Sequence, residues 1–92
     1  DLEAIQIDEL PSDICCFNKL EWLTLNDNRL KELPEELFTM TNLKVLYLDD
    51  NDLKEISNSV CNLTNLEEIT LYDNPIKKIS DCISEIVEFN NL

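Results

Sequence analysis

The feature that most constrains this chain is a period. Leu20, Leu23, Leu25, Asn28 and Leu30 recur 23 residues later as Leu43, Leu46, Leu48, Asn51 and Leu53, and again as Leu66, Ile69, Leu71, Asn74 and Ile76. Three registers agreeing at five positions are far beyond chance. A fixed period of this size marks a solenoid, in which each coil buries its apolar edge against its neighbours. A globule of 92 residues would have a thin core. Stacking removes that limit, so one domain spanning 1–92 is expected.

Each unit divides into two parts. The first, such as Leu23-Thr24-Leu25 or Leu46-Tyr47-Leu48, alternates apolar and other residues as a short strand does. The chain then turns at the asparagine. The return segments 33–40, 56–63 and 79–86 carry apolar residues at i, i+4 and i+7, which suits a helical or 3₁₀ crossing. Pro34 opens one crossing, where a missing N–H costs least, and Ser57 and Ser80 hold the same place as caps. The segment Ser80 to Phe89 reads as the best candidate for a full helix.

Residues 20–42, 43–65 and 66–88 are the regular repeats. Residues 1–19 form an irregular one: Leu2, Ile5 and Ile7 match the strand, and the asparagine is missing. Phe89 and Leu92 match the opening of a further strand, so 89–92 reads as the start of another repeat or a worn cap.

The whole unit, L-x-x-L-x-L-x-x-N-x-L-x-x-L-P-x-x-L-x-x-M-x-x-L from Leu20 to Leu43, resembles the 23-residue class of leucine-rich repeats. Intracellular Ras-binding scaffolds and Scribble-type polarity scaffolds carry it. The resemblance implies an α/β fold: a right-handed solenoid with a parallel concave β-sheet, short helical or 3₁₀ convex crossings, and protein partners bound on the concave side. Members of the class often have Gly after the residue matching Leu37. Here Cys15, Phe38, Cys61 and Ser84 stand there, and the chain has no glycine.

Strand alternation separates two sets of residues. The leucines point inward; those between them point out to the concave face. Read across the coils, four outward columns result: Ala4, Trp22, Val45, Glu68; Gln6, Thr24, Tyr47, Thr70; Asp8, Asn26, Asp49, Tyr72; and Glu9, Asp27, Asp50, Asp73. The only Trp and both Tyr lie on this face, flanked by carboxylates. Aromatics within a charged rim resemble the centre of an interface, although strands also favour aromatics for their own sake. Trp22, Thr24, Asn26, Asp27, Val45, Tyr47, Asp49, Asp50, Glu68, Thr70, Tyr72 and Asp73 are therefore the candidate protein-binding residues. Asn28, Asn51 and Asn74 are expected to form a structural ladder, because one amide offers an acceptor and two donors to the backbone of adjacent coils.

Charge narrows the partner. A net charge of −13 argues against nucleic acid and an anionic membrane surface, and favours either a partner with a basic surface or simply solubility, the safer reading on composition alone. Asp27, Asp50 and Asp73 should stack about 4.8 Å apart and raise one another's pKa. Lys31, Lys54 and Lys77 form a column expected to offset them. Asp49-Asp50-Asn51-Asp52 superficially resembles a calcium loop, but Leu53 and Lys54 occupy places that need an oxygen ligand and Gly, so no metal is expected.

Nothing points to catalysis. The absence of His removes the usual general base, and the absence of Gly removes a phosphate-cradling loop. No enzyme activity and no cofactor is expected. An alternative is a recruiting or regulatory segment of a larger signalling enzyme or effector, with catalysis elsewhere. Exposed terminal coils make self-association a further expectation.

The four cysteines lack the look of a disulfide framework. Cys15 and Cys16 are adjacent. Cys15 and Cys61 share a repeat position but lie two coils, roughly 10 Å, apart. Cys82 occupies a different position, and Cys61 reads as core-filling. Reduced thiols and an intracellular, cytoplasmic setting follow. Asn62-Leu63-Thr64 is a glycosylation acceptor pattern that points the other way, and is short enough to arise by chance.

Overall fold

The computed structural model describes residues 10–83 and the backbone of Val87–Glu88. Four short strands, β1 (Trp22–Thr24), β2 (Val45–Tyr47), β3 (Glu68–Thr70) and β4 (Val87–Glu88), alternate with 3₁₀ turns at Ser12–Cys16, Glu35–Thr39, Asn58–Asn62 and Asp81–Ile83. The strands pair in parallel in chain order β1-β2-β3-β4, which is the stacking of a solenoid. Trp22 faces Val45 and Val45 faces Glu68; Thr24 faces Tyr47 and Tyr47 faces Thr70. The columns read from the 23-residue period are thus the register of the sheet.

The leucines build the interior. Leu25, Leu30, Leu37, Met40, Leu43, Leu46, Leu48, Leu53 and Leu71 are wholly buried, and Val60 and Ile69 nearly so. Each turn begins as its sequence suggests. Pro34, at φ −67° and ψ 145°, precedes Glu35–Thr39 without needing an N–H. Ser57 instead accepts a hydrogen bond from the Ser59 N–H at 3.0 Å. Phe38 is buried where the class often has glycine.

The asparagines join the coils. Asn51 Nδ2 donates to the carbonyls of Leu48 in its own coil and Leu25 in the previous one, both at 3.0 Å, while its Oδ1 accepts from Leu30 N–H at 3.1 Å. Asn74 repeats the set with Leu48, Leu71 and Leu53 N–H. Asn28 donates to the carbonyls of Leu25 and Asn26. All three are buried.

Three expectations are corrected. No helix spans Ser80 to Phe89: a short 3₁₀ turn at Asp81–Ile83 is followed by β4. Ile69 pairs with Val87, so this pairing runs at an offset of 18 residues rather than 23, while the expected match of Phe89 and Leu92 to a new strand falls on residues that are not described. Those two residues, like Leu2, Ile5, Ile7, Ala4, Gln6, Asp8 and Glu9, lie outside the described set.

The third correction concerns the cysteines. Cys61 and Cys82 form a disulfide with their Cα atoms 5.6 Å apart, inside the usual range for such a bond. They are therefore not reduced, and the intracellular setting loses its support from them. The pairing is offset: Cys82 lies 21 residues after Cys61 rather than 23, and the bond joins the turn Asn58–Asn62 to the turn Asp81–Ile83. Nor does Cys61 fill the core. It is exposed, and Val60 beside it is buried. Cys15 and Cys16 are free. Among the described residues no helix is long and apolar enough to cross a membrane.

The ladder predicts a specific loss. Asn51→Ala leaves Leu30 N–H buried without an acceptor, whereas the carbonyls of Leu25 and Leu48 keep Asn28 and Asn74 as donors. The expected destabilisation is about 2 kcal/mol, read from urea unfolding.

Candidate functional site

The concave face is the outer surface of β1–β3 and of the turns that follow them. Its first column carries Trp22, Val45 and Glu68. Trp22 is 59% exposed, unusual for so large an apolar group. Its indole Nε1–H donates to Thr24 Oγ1 at 3.2 Å, which fixes the ring over the strand. The ring meets Tyr47 edge to face, centroids 5.6 Å apart and planes at 88°. Tyr47 O–H in turn donates to Glu68 Oε1 at 3.0 Å. One residue from each of three successive coils is thus linked: Trp22, Tyr47, Glu68. The hydrogen bond to Glu68, then desolvation and the charges of Glu68 and Asp49, push the Tyr47 phenol above its ordinary pKa. The phenol stays a donor.

The third column, Asn26, Asp49 and Tyr72, has a job in the fold. Asn26 Oδ1 accepts from Asp49 N–H at 2.7 Å, and Asp49 Oδ1 accepts from Tyr72 N–H at 2.8 Å. This second ladder runs beside the first. Its residues are half-buried, and Asn26 and Asp49 each spend one oxygen on the next coil. A third ladder on the opposite rim joins Asn42 Nδ2 to Asn18 O at 2.9 Å and Asn65 Nδ2 to Thr41 O at 2.8 Å. The recurrence of Thr-Asn-Leu at Thr41 and Thr64 was the available signal for it.

The fourth column sits in a demanding backbone. Asp27, Asp50 and Asp73 have φ of 61°, 58° and 59°. This is the left-handed region, which short polar side chains tolerate better than other non-glycine residues. A chain without glycine meets the requirement with aspartate. The cost is electrostatic: desolvation, then hydrogen bonding with Asp27 and the charges of Asp73 and Asp27, push the Asp50 carboxyl up to about 6. The lysines do not offset this. Lys31, Lys54 and Lys77 make no ion pair among the described residues, and the salt bridge on this side of the strands is Lys44 to Glu21 at 3.4 Å.

Thr70 departs from the outward reading. It is only 7% exposed, and its Oγ1 has no hydrogen-bond partner among the described residues. The pairing of Thr70 with Glu88 places it inside the sheet, a position invisible while β4 was read as helix. Thr24, Val45, Glu68 and Tyr72 are half-buried; Asp27, Asp50 and Asp73 are exposed. Four grooves on the described residues are lined by other side chains. One of them, of about 360 Å³, lies on the flank, where Lys31, Leu33, Glu35, Phe38, Lys54 and Ile56 line it with mixed charge. Among the described residues no group of three or more His, Cys, Asp or Glu is arranged to hold a metal ion. The concave face is a flat platform with an aromatic centre and carboxylates around it, a geometry for recognition.

The comparisons agree with the architecture. Residues 18–81 match the family described as leucine rich repeat. Among solved structures, a repeat protein of Leptospira interrogans has 31% sequence identity with the chain and superposes with a TM-score of 0.81 over 95% of it. The chain spans 22% of that protein's length. No curated protein matches.

The Asp50 environment predicts a pH dependence of stability. A carboxyl held near 6 when folded, against an ordinary 3.8, binds its proton more tightly in the folded chain. Unfolding then releases that proton between those values, so stability from this group rises as pH falls from above 6 to below 4. The expected result is a higher Tm near pH 5 than near pH 7.5, with a shallower slope in Asp50→Asn, whose amide suits the same φ. Thermal unfolding by circular dichroism at each pH checks it.

Proposed function

The chain belongs to the leucine-rich repeat family, and on that premise we propose that it is a protein-interaction module whose concave face binds a partner with a basic surface. The observation that carries the reading is Trp22. A large aromatic side chain stands exposed on β1, the first strand of the sheet, locked against Tyr47 on the next. Such anchors supply most of the energy in interfaces where aromatics are packed and preorganised. Around them lie Asp27, Asp50, Glu68 and Asp73, with Lys44 already engaged by Glu21. Carboxylates gathered around an aromatic pair favour a basic surface and speed its approach.

The roles within the face differ. Trp22 and Tyr47 provide contact area, and Glu68, Asp27, Asp50 and Asp73 steer and orient. Asn26 and Asp49 hold coils together and offer the partner only what is left, the Nδ2 amide of Asn26 and the second carboxylate oxygen of Asp49. Thr70, the register partner of Tyr47 on β3, is buried and supports the sheet rather than the contact surface. The Cys61–Cys82 bond favours an oxidising compartment over the cytoplasm as the place of work.

The double substitution Trp22→Ala with Tyr47→Ala is expected to weaken partner binding by a hundredfold or more, about 3 kcal/mol. Far-UV circular dichroism should be little changed, because neither ring is part of the buried leucine core. Surface plasmon resonance against a captured partner checks the affinity. The same instrument should show association slowing as salt rises; an association rate indifferent to salt removes the role of the carboxylates.

A further inference from the structure

From the line Trp22–Tyr47–Glu68 we infer that the concave face holds a seat for one arginine side chain of the partner. The inference rests on the proposed use of this face and adds which residue of the partner it recognises. The three side chains come from three consecutive strands: Trp22 and Glu68 share one register row through Val45, and Tyr47 stands on β2 between them, one outward position further along the strand. Trp22 touches Tyr47 ring to ring at 5.6 Å, and Tyr47 touches Glu68 through its hydroxyl at 3.0 Å. With strands about 4.8 Å apart, the line covers roughly 10 Å, the length over which an extended arginine lays down its stem and head.

The chemistry along that line matches arginine better than lysine. The apolar stem lies on the exposed indole of Trp22. The guanidinium continues over the aromatic pair, where a planar cation stacks on a ring face. At the far end it meets Glu68. Tyr47 occupies only Oε1 of that carboxylate, so lone pairs remain for a charge-assisted, forked hydrogen bond. Tyr47 also orients the carboxylate before the ligand arrives, which lowers the ordering cost of binding. A lysine ammonium could reach the carboxylate as a point charge, but it lacks the plane that matches the rings and the fork that matches the carboxylate.

Among the described residues no lysine is paired with Glu68. Lys44, the lysine in the strand region, is held by Glu21 at 3.4 Å. Lys31, Lys54 and Lys77 follow the asparagine turns and line the flank. Glu68 has no ion pair among the described residues.

The chain contains a single tryptophan, so its emission reports directly on the seat. The probes are hexa-arginine and hexa-lysine, equal in charge, titrated at 0.15 M salt to suppress nonspecific attraction to the acidic chain. The expected result is a saturable change in Trp22 emission, with hexa-arginine binding at least about fivefold tighter than hexa-lysine. Glu68→Gln, which still accepts from Tyr47, should reduce that preference to below about twofold. Glu67→Gln, an equal change of net charge one residue away and off the line, should preserve it. Equal affinity of the two peptides overturns the arginine seat while leaving the concave face as a site for basic partners in general. A preference that survives Glu68→Gln, or an emission change with neither peptide, also overturns it. Loss of partner binding in the Trp22, Tyr47 double variant is read separately, so the two claims fail by different experiments.

Discussion

The structure depends on one hydrogen-bonding arrangement, the side-chain amide of Asn51 set between two coils. A solenoid must bend its backbone sharply at the end of every strand, and those bends leave peptide groups facing the interior. Asn51 answers three at once: the carbonyls of Leu25 and Leu48 and the N–H of Leu30. Asn74 does the same one coil later. Each carbonyl is shared by two amides, so the coils are coupled into a continuous row. Leucine burial supplies most of the driving force, but leucine contacts tolerate sliding. The amides do not, and they set the strand spacing on which every outward column depends.

That spacing gives the concave face its character. Once the register is fixed, side chains 23 residues apart in sequence become neighbours. The fold uses some of them for itself. Asn26 and Asp49 extend the ladder, and Thr70 lies under the surface. Asp27, Asp50 and Asp73 serve the turn, holding a backbone conformation that glycine usually takes. The price is mutual repulsion, visible in the raised Asp50 carboxyl. Trp22, Tyr47 and Glu68 bridge coils only through their outward ends. They can change without orphaning a buried peptide group, which is the physical reason to place recognition there.

Much of this was legible in the residues. The positions of Leu23, Leu46 and Ile69 defined the sheet register, and Asn28, Asn51 and Asn74 marked the turns. What a 23-residue comparison misses is contact at other offsets. Cys61 and Cys82 are 21 apart, as are Tyr47 and Glu68, while Asn42 reaches back 24 residues to Asn18. Coils stack with a slant, and residues from different places in the repeat meet. The last coil was misread for a related reason. Ile83, Ile86 and Val87 fit a helical face as well as the end of a shortened coil, and periodicity alone cannot separate the two over so few residues. Phe17 shows the effect of position in the stack. Its counterparts Met40 and Leu63 are buried, yet it is 60% exposed, because among the described residues no coil precedes it.

The central claim is that a rigid, amide-laddered stack presents one recognition line, Trp22–Tyr47–Glu68. Nitrogen–proton correlation spectra of the chain, recorded with and without hexa-arginine, test it most directly. The account predicts the largest shifts at the Trp22 indole N–H and at the backbone amides of Trp22–Thr24, Val45–Tyr47 and Glu68–Thr70, with the convex turns Glu35–Thr39 and Asn58–Asn62 unmoved. Shifts spread evenly over every acidic surface, or centred on the convex turns, would contradict it.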